Sequence, residues 1–440
     1  MNHILKKIIC ALLIIAGFSY SGIAQSQPLS TDSLSLESII SEVVQNHPLV
    51  KKAMEEIKVS DSKIGIAKSV NLPTVGFESS YTRIGPIAHI TIPDMGSFSL
   101  IPHDSYSASV SASQVLYDFG KTEKNIQVEM QGKELSGQSV EQVKQKLSQA
   151  VIANYYALVY LQEAVKIKDE QLQMLNEHLN YIRKKLETGS ATTYEVLTTQ
   201  VRISNTENQK TDILTARLIK ISQINSLLGK PESNSLLVKR NLKLAMSELP
   251  GDSLFASAMR NRDEMKLALE KDKLAKMRYS LVSAQNNPVV SAFASGGFKN
   301  GYIPYMYDPR GNFSMGVGLK IPIFDGHRKD YSLTQAQSAI ESNSQETEIS
   351  RRGIVDEIVE AEANLNASQK KVDQSELQLK QAIQAYDLAK IKFDSGVITN
   401  LELIEGSTTV SESRLLLLKS KIDFTVNNYK LKSSIGQRLY

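Results

Sequence analysis

Apolar positions along this chain keep two rhythms, one of threes and fours and one of strict twos. Leu172, Leu175, Leu179, Ile182 and Leu186 are spaced three, four, three, four. Ile354, Ile358, Ala361, Leu365, Ser368 and Val372 keep the same alternation with one polar member. That spacing is the seam of a coiled coil, and the Gln, Lys, Glu, Asn and Ser around it keep the other faces wet. Proline agrees, because none falls between Pro102 and Pro231 and none after Pro322. An interior proline costs a helix about 3 kcal/mol, so such gaps are what very long helices need. The first half predicts helices over about 36–70, 120–187 and 193–228.

The period of two appears once in each half. Phe313, Met315, Val317, Leu319 and Ile321 alternate with Ser314, Gly316, Gly318 and Lys320. Tyr106, Ala108, Val110 and Ala112 alternate with Ser105, Ser107, Ser109, Ser111 and Ser113. These are strands with one apolar and one small, polar face. Their hairpin partners are expected over 74–83 and 289–298. Gly85, Pro86, Pro93 and Pro102, then Gly301, Pro304, Pro309 and Gly311, mark the connecting loops. Tyr81, Tyr106, Tyr302, Tyr305, Tyr307 and Phe313 supply an aromatic belt in a chain without Trp. A soluble sheet with one wet face has the same alternation.

The two halves are copies of one unit. Lys185-Leu186-Glu187-Thr188-Gly189-Ser190 returns as Lys392-Phe393-Asp394-Ser395-Gly396-Val397, at an offset of 207 residues. The same offset carries Tyr117-Asp118 onto Phe324-Asp325 and Leu228-Gly229 onto Ile435-Gly436. Asn46 and Pro73 instead meet Asn261 and Pro288 at an offset of 215. The eight extra residues of the first copy fall between Pro73 and Asp118, where a loop absorbs them and a packed helix does not. The expected organisation is a first repeat over 25–230, a linker or equatorial segment over 231–250 and a second repeat over 251–440. Each repeat reads helix, hairpin, very long helix, tight turn, helix. Gly189 and Gly396 are read as helix stops, with Thr192/Thr193 and Thr399/Asn400 capping the returning helices. Asp118 and Asp325 are read as N-caps at the foot of each hairpin.

Four strands gathered at one end of a helical rod cannot close a barrel, and open edges do not survive in lipid. Two copies of the chain would supply eight strands, a barrel filled by side chains; three would supply twelve and leave room for water. The fold class expected is mostly α, with long coiled-coil helices and a membrane β-barrel segment, and it points to a channel. Residues 1–24 add a destination. Lys6 and Lys7 precede the apolar run 8–18 and the small residues before Ala24, the order of a secretory signal. Cys10, the one cysteine, lies inside that run, so the mature chain would have no thiol.

Composition removes other classes. Lys and Arg number 51 against 47 Asp and Glu, too small a surplus to imply nucleic acid as a partner. The six histidines form no His-x-x-x-His pair, and no Gly-rich phosphate loop or Gly-x-Ser-x-Gly is present. Neither an enzyme nor a cofactor is expected, and His47 before Pro48 reads as part of a helix start. A periplasmic coiled-coil scaffold or adaptor remains the alternative, with a simple porin behind it.

Over nearly its whole length the chain resembles the TolC-like outer-membrane efflux proteins. The resemblance is carried by Leu36-Glu37, Asn46-His47-Pro48, Asn71-Leu72-Pro73, Leu116-Tyr117-Asp118, Ile323-Phe324-Asp325-Gly326 and the turns at Gly189 and Gly396. It implies a homotrimer with a twelve-stranded barrel in outer-membrane lipid and a trimeric helical barrel below. Partners implied are a periplasmic adaptor protein and an inner-membrane pump, in tripartite efflux or type I secretion. It also implies acidic residues six and nine positions after the second turn glycine, Glu402 and Glu405, ringing the periplasmic mouth, favouring cations and raising one another's pKa. Glu195 is the first-copy equivalent of Glu402. Thr188, Gly189, Ser190, Ser395, Gly396 and Val397 are the implied adaptor contacts at the tip. Where relatives lock the mouth with a Tyr and an Arg, this chain has Phe393 and Ile398, so closure by apolar contact or helix packing is expected instead.

Overall fold

The computed structural model describes residues 33–94, 96–242 and 254–440. The expected signal segment, and the part of the linker over 243–250, lie outside the described residues. In chain order the elements are α1 (Leu36–Asn46), α2 (Pro48–Ser69), β1 (Thr74–Arg83), β2 (His89–Ile92), β3 (Gly96–Ser99), β4 (Asp104–Tyr117), α3 (Lys121–Glu187) and α4 (Thr193–Leu228). The second half follows with α5 (Leu254–Asn261), α6 (Asp263–Ser283), β5 (Val289–Lys299), β6 (Arg310–Lys320), α7 (Arg328–Asp394) and α8 (Asn400–Ser434). Helices α3 and α7 have 67 residues each, roughly 100 Å at 1.5 Å per residue. End to end, α2 and α4 run beside α3; α6 and α8 lie between α3 and α7.

The expected helix over 36–70 is two helices. Pro48 has no N–H to continue the ladder, and the residue before a proline is pushed into extended backbone. His47 takes that conformation (φ −63°, ψ 136°), and its Nδ1 accepts the Leu49 N–H at 3.1 Å. The histidine is therefore a cap, as a helix start requires. In the second repeat a break falls at the equivalent Arg262, without a proline.

Four strands form one antiparallel sheet in the order β1-β4-β5-β6, so the two hairpins are joined through β4 and β5. The loop between β1 and β4 holds a second, two-stranded hairpin, β2 with β3, that the sequence reading missed. It uses the longer of the two hairpin loops, where His-Ile-Thr-Ile alternates in a stretch otherwise marked by Gly and Pro. At the sheet's base Asp118 Oδ2 accepts the Thr122 N–H at 2.7 Å, and Asp325 Oδ2 accepts the Lys329 N–H at 3.1 Å. Both aspartates cap their helices from outside. The flanking positions, Gly120 and His327, are left-handed and make no side-chain cap.

The largest core lies midway along the rod. Ile39, Ile40 and Val43 of α1 pack on Val151, Ile152, Tyr155, Tyr156 and Val159 of α3. Ile224 of α4, Ile422 of α8, and Leu236 and Val238 of the segment after α4 complete it. Tyr155 and Tyr156 donate their hydroxyls to the carbonyls of Lys239 and Asn241, at 2.7 and 3.2 Å. Buried phenols need such partners, and these two fix the segment crossing the helices.

Candidate functional site: the strand face and the two helix turns

Register makes the strand alternation a property of the whole sheet. Phe77 pairs with Val110, Val110 with Gly296 and Gly296 with Phe313, so these share one face. Val75, Met315, Val317 and Leu319 lie on it too, and Phe313 is 81% and Met315 74% exposed. A row of large apolar side chains left this bare is stable against hydrocarbon and costly against water. The opposite face carries Gly76, Glu78 and Ser80, the serines of β4 from Ser105 to Ser113, and Ser291, Ser295, Asn312, Ser314, Gly316 and Gly318. Phe293 is the one ring there; it lies over Gly316, where a Cβ would meet its Cζ at 2.7 Å. Among the described residues no helix is long and apolar enough to cross a membrane.

At the other end of the rod the two turns are built alike. Gly189 and Gly396 both have φ of 75°, which a side chain would strain. Ser190 N–H reaches the Lys185 carbonyl at 2.8 Å, and Val397 N–H reaches the Lys392 carbonyl at 2.9 Å. Gly189 and Gly396 N–H close the inner bond of the same motif on Leu186 and Phe393, each at 3.0 Å. Thr188 and Ser395 are the C-caps. Thr192 and Thr399 then cap the returning helices in reciprocal boxes. Glu195 N–H donates to Thr192 Oγ1 while Thr192 N–H donates to Glu195 Oε2 at 2.6 Å. Glu402 and Thr399 repeat this, with Thr399 N–H at 2.7 Å from Glu402 Oε2.

Glu195 and Glu402 thus share a capping task that the sequence reading did not assign to them. The Thr399 amide, then its hydroxyl, hold the Glu402 carboxyl below its ordinary pKa. That lowering arises from the cap within one chain, whereas the rise expected around a ring would come from carboxylates of neighbouring copies. Glu405, one turn further, is exposed and stands off the buried stripe of Leu403, Ile404 and Ser407.

Phe393 is buried against Ile182 and Leu403, with Ile398 packed on the same cluster. Its ring meets His178 at 5.6 Å and Tyr181 at 6.4 Å, and the Lys185 ammonium lies 5.0 Å over it. Beside this lies a link invisible in the sequence. Asn400 donates its amide to the Glu195 carbonyl and to Thr199 Oγ1, both at 3.2 Å, so its Oδ1 faces His178 Nε2 at 2.6 Å. Asn400 is 2% exposed and ties the start of α8 to α3 and α4. No periodicity marks a hydrogen bond between residues 222 positions apart.

An apolar belt at one end of a wet helical rod with paired turns at the other defines a channel class. Comparison agrees. The sequence profile of the family described as outer membrane efflux protein matches residues 39–230 and 254–437. This chain belongs to the outer membrane efflux protein family. It is 19% identical over 453 residues to the outer membrane protein TolC of Escherichia coli K12, covering 98% of this chain and 87% of that one. Its fold is similar to the CusC transmembrane channel, with a TM-score of 0.78 at 16% identity and 92% of each chain covered. The outer membrane protein VceC of Vibrio cholerae superposes with a TM-score of 0.74 at 17% identity, over 92% of this chain and 97% of that one. The protein is an outer-membrane efflux channel.

Proposed function

We propose that three copies associate head to tail to form a passive exit duct, with twelve strands in the outer membrane and a tunnel of α-helices across the periplasm. The observation that carries this is a coincidence of edges. The sheet runs β1-β4-β5-β6 and the helices attached to those strands run α2-α3-α6-α7 in the same order. One side of the protomer therefore ends in β1, α2 and α4, the other in β6 and α7. A single rotation that pairs β6 with the next copy's β1 also brings α7 against its α2 and α4. Such an interface is heterologous and closes into a ring. Near the tip both edges carry exposed apolar residues at heptad spacing: Tyr194, Leu197 and Val201 on α4, Leu388 and Ile391 on α7.

The duct has no reaction to perform. The serine and glycine face of the sheet lines its membrane part, and Glu402 and Glu405 stand near its periplasmic mouth, where carboxylates would favour cations. Thr188, Gly189, Ser190, Ser395, Gly396 and Val397 are the surface offered to a periplasmic adaptor, which would link the duct to an inner-membrane pump in tripartite efflux or type I secretion. The test is native mass in detergent after extraction from outer membranes. Three chains are expected. A monomer would overturn the edge argument, and a dimer would leave eight strands and no lumen. Replacing Gly396 by Val should then block export while the three-chain mass is kept; export at the wild-type rate would remove the adaptor assignment.

A further inference from the structure

The polar face of the sheet is nearly uncharged until the end of the second hairpin. There Lys299 and Arg310 are registered directly opposite each other across β5 and β6. By alternation they lie on the face of Ser295, Gly297, Asn312 and Ser314, away from Phe298, Phe313 and Met315. Like charges opposite one another destabilise a strand pair, so this placement works against the sheet. Nothing offsets it: among the described residues neither cation has a carboxylate partner, Asp308 and Asp94 of the neighbouring loops included. Tyrosines hold them in place instead. The Lys299 ammonium lies 5.3 Å over the Tyr302 ring and the Arg310 guanidinium 4.7 Å over the Tyr305 ring.

Arg83 is the contrast. It ends β1 on the apolar face, where a bare charge would meet lipid, and there it is paired with Asp104 at 3.5 Å, which also accepts the Tyr81 hydroxyl. Charge is neutralised on the lipid side and left free on the water side. Lys320, opposite Val289 at the helical end, adds a third cation to the water-side face, and Glu78 is the one carboxylate there. Even with Glu78 paired across an interface, each protomer keeps a positive balance on that face.

We propose that Lys299 and Arg310 form a cationic ring at the outer mouth of the duct and are its specificity-determining residues for anionic solutes, those bearing carboxylate, sulfonate or phosphate groups. This rests on the three-copy closure proposed above, which turns one pair into six cations around a common lumen. A narrow aqueous passage with low-dielectric walls focuses such a field, and screening at physiological salt sets in only over about 8 Å. With the carboxylates near the periplasmic mouth, the two ends of the duct would carry opposite signs.

The test is the reversal potential of the purified protein under a potassium chloride gradient, in a bilayer free of lipopolysaccharide. Lys299→Gln with Arg310→Gln should lower the chloride-to-potassium permeability ratio by about threefold or more, and the corresponding double Glu variant should lower it further. Arg83→Gln should leave the ratio where it was. Wild-type conductance with an unchanged reversal potential in the double Gln variant overturns the ring while leaving the channel intact. An equal shift from Arg83→Gln overturns the assignment of faces. Absence of any conducting three-chain species in the wild type overturns the duct itself, and the ring with it.

Discussion

The two repeats meet the same demand at their tips in one way and at their midpoints in two. At the tips, glycine stop, threonine cap and returning glutamate are matched bond for bond. At the midpoints, a helix breaks once in each repeat with almost the same backbone: His47 at φ −63°, ψ 136° and Arg262 at φ −64°, ψ 131°. The first break is local, made by Pro48 and a histidine that caps its own helix two residues on. The second is tertiary. Arg262 is 8% exposed and bonds Glu264 at 2.9 Å, Glu357 of α7 at 2.6 Å and the Ser433 carbonyl of α8. Asp263 in turn takes Arg438 at 2.6 Å. Gly436 packs so closely that a Cβ there would meet the Asn261 backbone at 2.6 Å. A backbone requirement can thus be kept by local chemistry in one copy and by distant partners in the other.

The largest test of that contrast is Arg262→Ala, which removes the ion pairs to Glu264 and Glu357 and the tie to the Ser433 carbonyl. It should cost about 3 kcal/mol in thermal unfolding followed by circular dichroism. A loss no greater than that of His47→Ala would erase the distinction between the breaks. Grafting the first solution onto the second, Arg262→His with Asp263→Pro, should still lose about 2 kcal/mol, because Arg438 loses Asp263 and Glu357 loses Arg262. Wild-type stability in the graft would mean that the proline alone sets the break. At the tips, Thr192→Ala and Thr399→Ala should each cost about 1 kcal/mol. Unequal losses would show that the boxes are not equivalent. The smallest effect concerns pH. Burial lowers the His47 pKa below its ordinary 6.5, so the neutral form is favoured in the fold. Its contribution is complete above 6.5 and is lost as pH falls through the lowered value. The melting temperature of the wild type should drop slightly more than that of His47→Gln between pH 7 and 5; parallel curves would remove His47 as the source.

What the sequence disclosed follows the same division. Both long helices, the four main strands and the glycine turns were legible because local pattern encodes them: heptads, alternation and left-handed glycine. The break at Arg262 was not, since Asn-Arg-Asp has no helix-breaking chemistry and its distant partners lie in α7, in the last turn of α8 and just beyond it. Glu195 and Glu402 were found as a repeated pair, and their spacing of three from a threonine was the capping-box signal. Asn400 and His178 carried no local signal. The β2–β3 hairpin was hidden by prolines that mark loops on average and here bracket a pair of four-residue strands.

The split at Arg262 also has a meaning in time. A chain made from its N-terminus gives His47 its hydrogen-bond donor two residues later. Arg262 has to wait a further 171 residues for the Ser433 carbonyl. The first repeat can set its bend while the rest of the chain is still being delivered, and the second stays unset until nearly all of it has arrived. The same architecture, duplicated, has been given an early joint and a late one.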